Sequence, residues 1–223
     1  MEKYFSILFQ CPLFYGIGQE DLQAMMACLG AKFIAVPKGD PVFLEGDPAQ
    51  LVGVVLSGGV QVVQDDYYGN RSVLSILQPG ESFGEAFSCS GSENFTVSAM
   101  AADESEILFI NYKKIINTCS SACGFHSRLI ENMMKILANK NLMLTDKIDV
   151  LSRRSTREKI LTFLSAKATT AGNRSFEIPF NRQDMADYLC VDRSALSGEL
   201  CKLRDEGILS FQRNRFTLYE IET

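Results

Sequence analysis

Residues 181–207 read NRQDMADYLCVDRSALSGELCKLRDEG, two amphipathic helices with room for only a tight turn between them. The spacing predicts a first helix capped by Asn181, with Asp184 in its first turn where the helix dipole favours an anion, running to about Leu189. Asp192 caps a second helix that ends near Glu206, with Gly207 as the residue just past the end. Ala186 is small where the two helices cross, Cys190 lies in the turn, and Leu189, Val191 and Leu196 point to a shared core. That leaves Asp192, Arg193, Ser194, Ser197 and Gly198 on the outer side at the start of the second helix. This is the pattern of a helix-turn-helix.

The flanking text supports a small domain of its own. Residues 156–169 form an amphipathic helix with Ile160, Leu161, Phe163 and Leu164 inward, and AGNRS breaks it. Phe176 to Phe180 reads as a short edge strand, since Pro179 cannot donate to a ladder. ILSFQRNRFTLYEI is a hairpin with Arg213, Asn214 and Arg215 at its tip. A second helix presented this way reaches base edges when it lies in a major groove. Arg193 can bond a guanine bidentately, worth about 1–3 kcal/mol of discrimination. Ser194 and Ser197 can bond a base or phosphate, and Arg182, Arg213 and Arg215 are expected phosphate contacts.

The net charge of −5 would argue against a polyanionic partner if it were evenly spread, but it is not. Residues 1–150 carry 10 Lys/Arg against 17 Asp/Glu, a balance of −7, whereas residues 151–223 carry 12 against 10, or +2. The C-terminal third opens on the run Arg153, Arg154, Arg157, Lys159, and phosphate binding needs a basic face rather than a basic protein. The 223 residues allow one large or two modest domains. The start, MEKYFSILFQCPLF, lacks the basic opening and small-residue cleavage pattern of a leader, and no apolar run is long enough for a membrane span. Seven scattered cysteines suit a reducing, cytoplasmic setting. With one histidine and no P-loop, GxSxG or HExxH motif, the sequence gives no reason to expect an enzyme.

From Phe33 to Ile110 the text is some eight short strands cut by turns, the mark of a small barrel or sandwich. VPKGDPVFLEGDPAQ holds three turn signals, VGVVLSGGVQVVQ reads as a hairpin about Ser57-Gly58-Gly59, and DDYYGNRSVLSIL as another about Gly69-Asn70. Gly84 stands where a strand would not want glycine without a reason. GIGQEDLQAMMACLGA precedes the sheet as a helix of about three turns, and Asn111 caps a short helix after it.

A long helix over about 125–151 carries two apolar stripes. Ile130, Leu137, Leu144 and Leu151 recur every seven residues, as do Met134, Asn141 and Ile148. Together they make the d and a positions of a parallel coiled coil, with Asn141 as the single amide that fixes register and favours two strands. This stripe predicts a second copy of the chain. The other stripe, Leu129, Met133, Ile136, Met143 and Val150, is expected to face the helix's own sheet domain.

In their order, CPLFYGI, KGDPVFLEGDPAQ, VVLSGGVQV, LQPGESFGEAF, the long helix, STREKILTFL and NRQDMADYLCVDRSALSGELCKLRDEGIL resemble the Crp/Fnr transcription regulators over nearly the whole chain. The resemblance implies an α+β protein. Residues 1–110 would form an effector domain built as a jelly-roll-like double-stranded β-helix, 111–151 a short helix and the dimerisation helix, and 152–223 a winged helix-turn-helix. It further implies a homodimer on an inverted-repeat site in double-stranded DNA, acting with RNA polymerase. The implied effector pocket gathers Phe83, Gly84, Glu85, Phe95, Thr96, Met133, Ile136 and Met143.

Three departures stand out. Cyclic-nucleotide members hold the phosphate with an Arg-Ser pair, where this chain has Phe95-Thr96, so the expected signal at the β-roll is an unknown apolar or aromatic small molecule, or a redox signal, or none, with no cofactor. Iron–sulfur members need a tight N-terminal cysteine cluster. Here Cys11 stands alone, with Cys28, Cys89, Cys119, Cys123, Cys190 and Cys201 spread beyond it, and the single His126 does not make a metal site. Gly198 replaces an arginine that many members carry on the recognition helix. The alternative class is a cyclic-nucleotide-like sensor module whose output is not DNA.

Overall fold

The computed structural model describes residues 2–69, 71–117 and 124–219. Asn70 at the expected hairpin bend, Cys119, Cys123 and the last residues of the C-terminal hairpin fall outside this set. The chain forms two compact units, Met1–Asn139 and Lys140–Thr223. The division therefore falls inside the long helix, whereas the family resemblance placed boundaries after residues 110 and 151.

The first unit opens with helices α1 (Phe5–Gln10) and α2 (Gln19–Cys28). Eight strands follow: β1 (Lys32–Val36), β2 (Pro41–Phe43), β3 (Leu51–Ser57), β4 (Val60–Asp65), β5 (Arg71–Leu77), β6 (Ser82–Phe83), β7 (Ser98–Ala101) and β8 (Ser105–Asn111), with helix α3 (Glu85–Ser90) after β6. They form two antiparallel four-stranded sheets, ordered β1-β8-β3-β6 and β2-β7-β4-β5.

The strands on either side of Gly58-Gly59 do not make the expected hairpin. β3 pairs with β8 and β6, while β4 pairs with β5 and β7, so the chain crosses from one sheet to the other at this point. Gly58 makes the corner possible, with φ +75° and the Glu104 carbonyl where a Cβ would go. A second crossing, between β7 and β8, lies against it. The buried Ser105 hydroxyl donates to Gly59 O at 2.9 Å and accepts from Gly59 N at 3.1 Å, which ties the two corners together. The DDYYGNRSVLSIL hairpin does form, as β4 on β5.

Alternation along β3 separates two cores. Val52, Val54 and Leu56 face a cluster with Leu8, Phe14, Leu22, Met25, Leu108, Ile110 and Leu129. Val55 faces the interior of the roll, with Phe83, Ala99, Ile107 and Phe109. The tip of the Phe83 ring fills the space that a Cβ on Gly53 would need. Gly84 meets its expectation of a special role: φ is +80°, and a Cβ there would lie 2.8 Å from the Leu51 carbonyl.

After the sheets come α4 (Tyr112–Ile116), capped as expected by the Asn111 side chain on Lys113 N at 2.9 Å, and α5 (Gly124–Ser152). The second unit adds α6 (Thr156–Ala171), β9 (Ser175–Glu177), α7 (Arg182–Leu189), α8 (Arg193–Asp205), β10 (Leu209–Gln212) and β11 (Arg215–Leu218). β9, β10 and β11 form one antiparallel sheet with β11 in the middle, so an edge strand does form here, but over Ser175–Glu177, ending before Pro179 rather than running to Phe180.

Gly53→Ala drives a methyl into the Phe83 ring. It is expected to cost about 1–3 kcal/mol of stability in urea unfolding, because an overpacked core relaxes only by moving rotamers or backbone.

Candidate nucleic-acid interface

Both ends of α7 are specified locally. Asn181 Oδ1 accepts from Gln183 N at 2.7 Å and Asp184 N at 3.0 Å, and Asp184 accepts from Asn181 N at 3.1 Å, a complete capping box. At the far end Lys159 donates to the Leu189 carbonyl at 3.1 Å. The turn to α8 passes through Cys190 at φ +51°, a conformation that usually selects glycine. Asp192 occupies the N-cap of α8 but its side chain makes no capping bond.

Met185, Ala186, Leu189, Leu196, Leu200 and Leu203 are buried together with Ile160, Phe163, Phe176, Leu209 and Phe216. Val191, only half-buried, packs at the edge of this core. The core turns one edge of α8 outward: Arg193, Ser194 and Gly198 are exposed, with Ser197 half-buried beside them.

Charge in this unit is divided between paired and unpaired groups. Arg157 bridges α6 to α8, donating to Glu199 at 3.3 Å and Glu206 at 3.0 Å. Its hydrogen bond holds the Glu206 carboxyl below the ordinary range. Arg153 pairs with Asp149 at 2.6 Å. Most of the basic run that opens the C-terminal third is thus engaged inside the protein. By contrast Arg193, Arg213 and Arg215 are exposed and form no ion pair among the described residues.

The hairpin tip is fixed rather than loose. Asn214 accepts from Ile178 N at 3.0 Å and returns its own Nδ2 to Ile178 O at 3.2 Å. Arg182 departs from the expectation of a free phosphate contact. Its guanidinium stacks on Phe211 and Phe216, 4.8 and 5.0 Å from the ring centroids, and burial there lowers its pKa from the usual arginine value. It still lines a concavity with Arg213, Asn181 and Phe180.

The expected effector residues do not come together. A cavity of about 360 Å³ in the roll is lined by Val42, Phe43, Pro48, Leu51, Phe95 and Phe109, with Asp47 and Gln50 as polar groups. Phe95 stacks on Phe43 at 3.9 Å between centroids, Phe83 stacks on Phe43 at 6.0 Å, and Gly84 packs near the Phe95 ring. Five of the expected residues lie elsewhere. Thr96 is exposed. Glu85 is buried near Cys11 and Cys89, two thiols raised chiefly by their own burial and secondarily by the neighbouring carboxylate. Met133 and Ile136 belong to the cluster with Val52, Val54 and Leu56, because α5 packs on the face of β3 away from Phe83. Met143 is 69% exposed. Phe43 and Phe109 went unread as lining, although the inward alternation of β8 carries a signal for Phe109.

Along α5, Leu129, Met133 and Ile136 are buried in the first unit and Val150 in the second. Of the other stripe, Ile130, Leu137 and Leu151 are half-buried, Asn141 is exposed, and Met134, Leu144 and Ile148 are 66%, 61% and 67% exposed.

Residues 33–122 match the model of the cyclic nucleotide-binding domain, and residues 158–223 that of the Crp-like helix-turn-helix domain. The chain belongs to the Crp/Fnr family of transcriptional regulators. A relative from Thermus thermophilus, named cyclic AMP receptor protein, is 25% identical over 201 residues, covering 89% of this chain and 88% of its own. The crystal structure of the Thermus thermophilus catabolite activator protein aligns with a TM-score of 0.54 at 24% identity over 94% of each chain. The c-di-GMP-responsive regulator CLP of Xanthomonas campestris aligns at 0.57 and 20% identity, over 92% of this chain and all of the other. At these identities the structural likenesses speak for the fold.

The Arg157–Glu206 pair makes stability depend on pH in a definite direction. Because Arg157 lowers the folded-state pKa of Glu206, its contribution is present above the ordinary carboxylate range and is lost as pH falls through the lowered value. Arg157→Ala is expected to lower the urea midpoint at pH 7, and the gap from wild type should close below about pH 4.

Proposed function

We propose that the chain acts as a homodimer that binds an inverted-repeat site in double-stranded DNA and meets RNA polymerase there. The unpaired charge carries this reading. In the second unit the cations of the basic run are largely bound to carboxylates or to a helix end, while those at the start of α8 and at the hairpin tip are left to solvent. Arg193 would read a base from the major groove, and Arg213 and Arg215 would hold phosphates from the wing. Ser194 and Ser197 add neutral hydrogen bonds. Gly198, with nothing within 4 Å of its would-be Cβ, gives the helix room against the duplex.

Pairing through the exposed Met134, Leu144 and Ile148 stripe, with Asn141 facing its counterpart, would set two α8 helices one duplex turn apart, about 34 Å. The roll cavity is the natural seat for an effector that biases this pairing. Its walls are aromatic and aliphatic, and Phe95 cannot neutralise a phosphate, so an apolar or aromatic ligand fits better than a cyclic nucleotide.

Selection from randomised duplexes is expected to return a symmetric site. On it, Arg193→Ala should lose about 1–3 kcal/mol of discrimination at one base pair per half-site. Arg213→Ala should weaken all sequences alike and reduce the salt slope by about one. Discrimination that survives Arg193→Ala would refute the assignment. Isothermal calorimetry with cAMP should show no heat of binding at micromolar protein, and a micromolar dissociation constant would refute the apolar-effector reading.

A further inference from the structure

The single histidine of the chain lies against a cysteine. Cys28, the last residue of α2, places its Sγ 3.9 Å from Nε2 of His126 in the first turn of α5. His126 is 1% exposed and its ring tilts onto that of Phe125, with centroids 4.6 Å apart, so packing sets the direction of the imidazole. Cys28 is half-buried, whereas the histidine beside it is fully enclosed. Lys114 brings a cation to the same helix end. Gly30 has φ +59°, and a Cβ there would lie 2.5 Å from Lys114 Nζ. A thiol beside an oriented base and a nearby cation is the setting in which a cysteine becomes a nucleophile.

Of the other described cysteines, Cys201 on α8 is half-buried and close enough to Arg182 and Arg204 to interact with their charges, but has no histidine beside it. Cys11 is fully buried and burial pushes its thiol up to about 11. Burial likewise raises Cys89. Cys190 is exposed, with its Sγ 3.7 Å from the Asp187 carbonyl.

We propose that Cys28 is a peroxide-reactive thiol and that His126 is its base. With Nε2 unprotonated, the imidazole takes the thiol proton and the sulfur attacks one oxygen of hydrogen peroxide. The S–O bond forms as the O–O bond breaks. The leaving hydroxide takes the proton back from the imidazole and departs as water, so the sulfur is oxidised to a sulfenic acid and the peroxide is reduced. The product sits between the end of α2 and the root of α5, against the buried cluster that holds both helices on the sheet, where an added polar oxygen disturbs that packing. This chemistry belongs to the first unit and does not depend on DNA binding.

The test uses the reduced full chain treated with substoichiometric hydrogen peroxide and dimedone, with adducts mapped by mass spectrometry of a digest. Cys28 is expected to take the adduct roughly tenfold faster than the more exposed Cys190. His126→Gln should slow Cys28 by roughly tenfold or more and flatten the pH dependence of its rate, while leaving Cys190 unchanged. A wild-type Cys28 that reacts no faster than Cys190 overturns the proposal without recourse to any variant. So does a Cys28 that keeps its rate and pH profile in His126→Gln, with an unchanged circular dichroism spectrum and thermal unfolding curve reporting that the variant is folded.

Discussion

A helix with apolar side chains on two faces can bury only one of them in its own domain. In α5 that choice is visible residue by residue. Leu129, Met133 and Ile136 close the core outside the β1-β8-β3-β6 sheet, and Val150 closes the core of the second unit. The face holding Met134, Leu144 and Ile148 is left in water, more than half exposed at each position. Large apolar groups are costly to leave solvated, and with Met134 and Ile148 two heptads apart and Leu144 four residues before Ile148 they keep the spacing that the proposed coiled-coil pairing needs. Asn141 falls in that line, where a buried amide finds its hydrogen bond most simply in the same residue of a second chain.

The second unit distributes charge with the same economy. Arg157, Arg153 and Lys159 are held by Glu199, Glu206, Asp149 and the end of α7, which fixes α6, α7 and α8 as one body. Arg182 is spread over the wing's phenylalanine rings. Among the described residues, the exposed arginines without an ion pair include Arg193 at the start of α8, Arg213 and Arg215 at the tip of the β10–β11 hairpin, and Arg154 ahead of α6. A protein with a net charge of −5 can therefore still offer a local cationic edge to a duplex.

Much of this was legible in the chain because it is local. Asn181, Asp184, Asn111 and Gly207 specify ends within three or four residues of themselves, and the seven-residue repeat of α5 needs no knowledge of what lies opposite. What resisted reading depends on partners distant in sequence. Alternation in 52–64 marks two strands but not their neighbours, so Gly58 reads as a hairpin bend when it is a crossing between sheets. The residues gathered as an effector pocket share a motif order, yet α5 packs Met133 and Ile136 on the face of the sheet opposite from Phe83. Arg157 reads as surface charge until Glu199 and Glu206 are brought to it by the crossing of α6 and α8. The contact between Cys28 and His126 joins residues 98 apart and leaves no trace in local pattern.

Sedimentation equilibrium of the full chain tests the central claim most directly, since the DNA-reading geometry requires two chains joined along α5. The account predicts twice the monomer mass at micromolar concentration, and a single-chain mass for the double variant Leu144→Glu, Ile148→Glu with its secondary structure intact. A wild-type protein of single-chain mass throughout, or a double variant that stays paired, would contradict it.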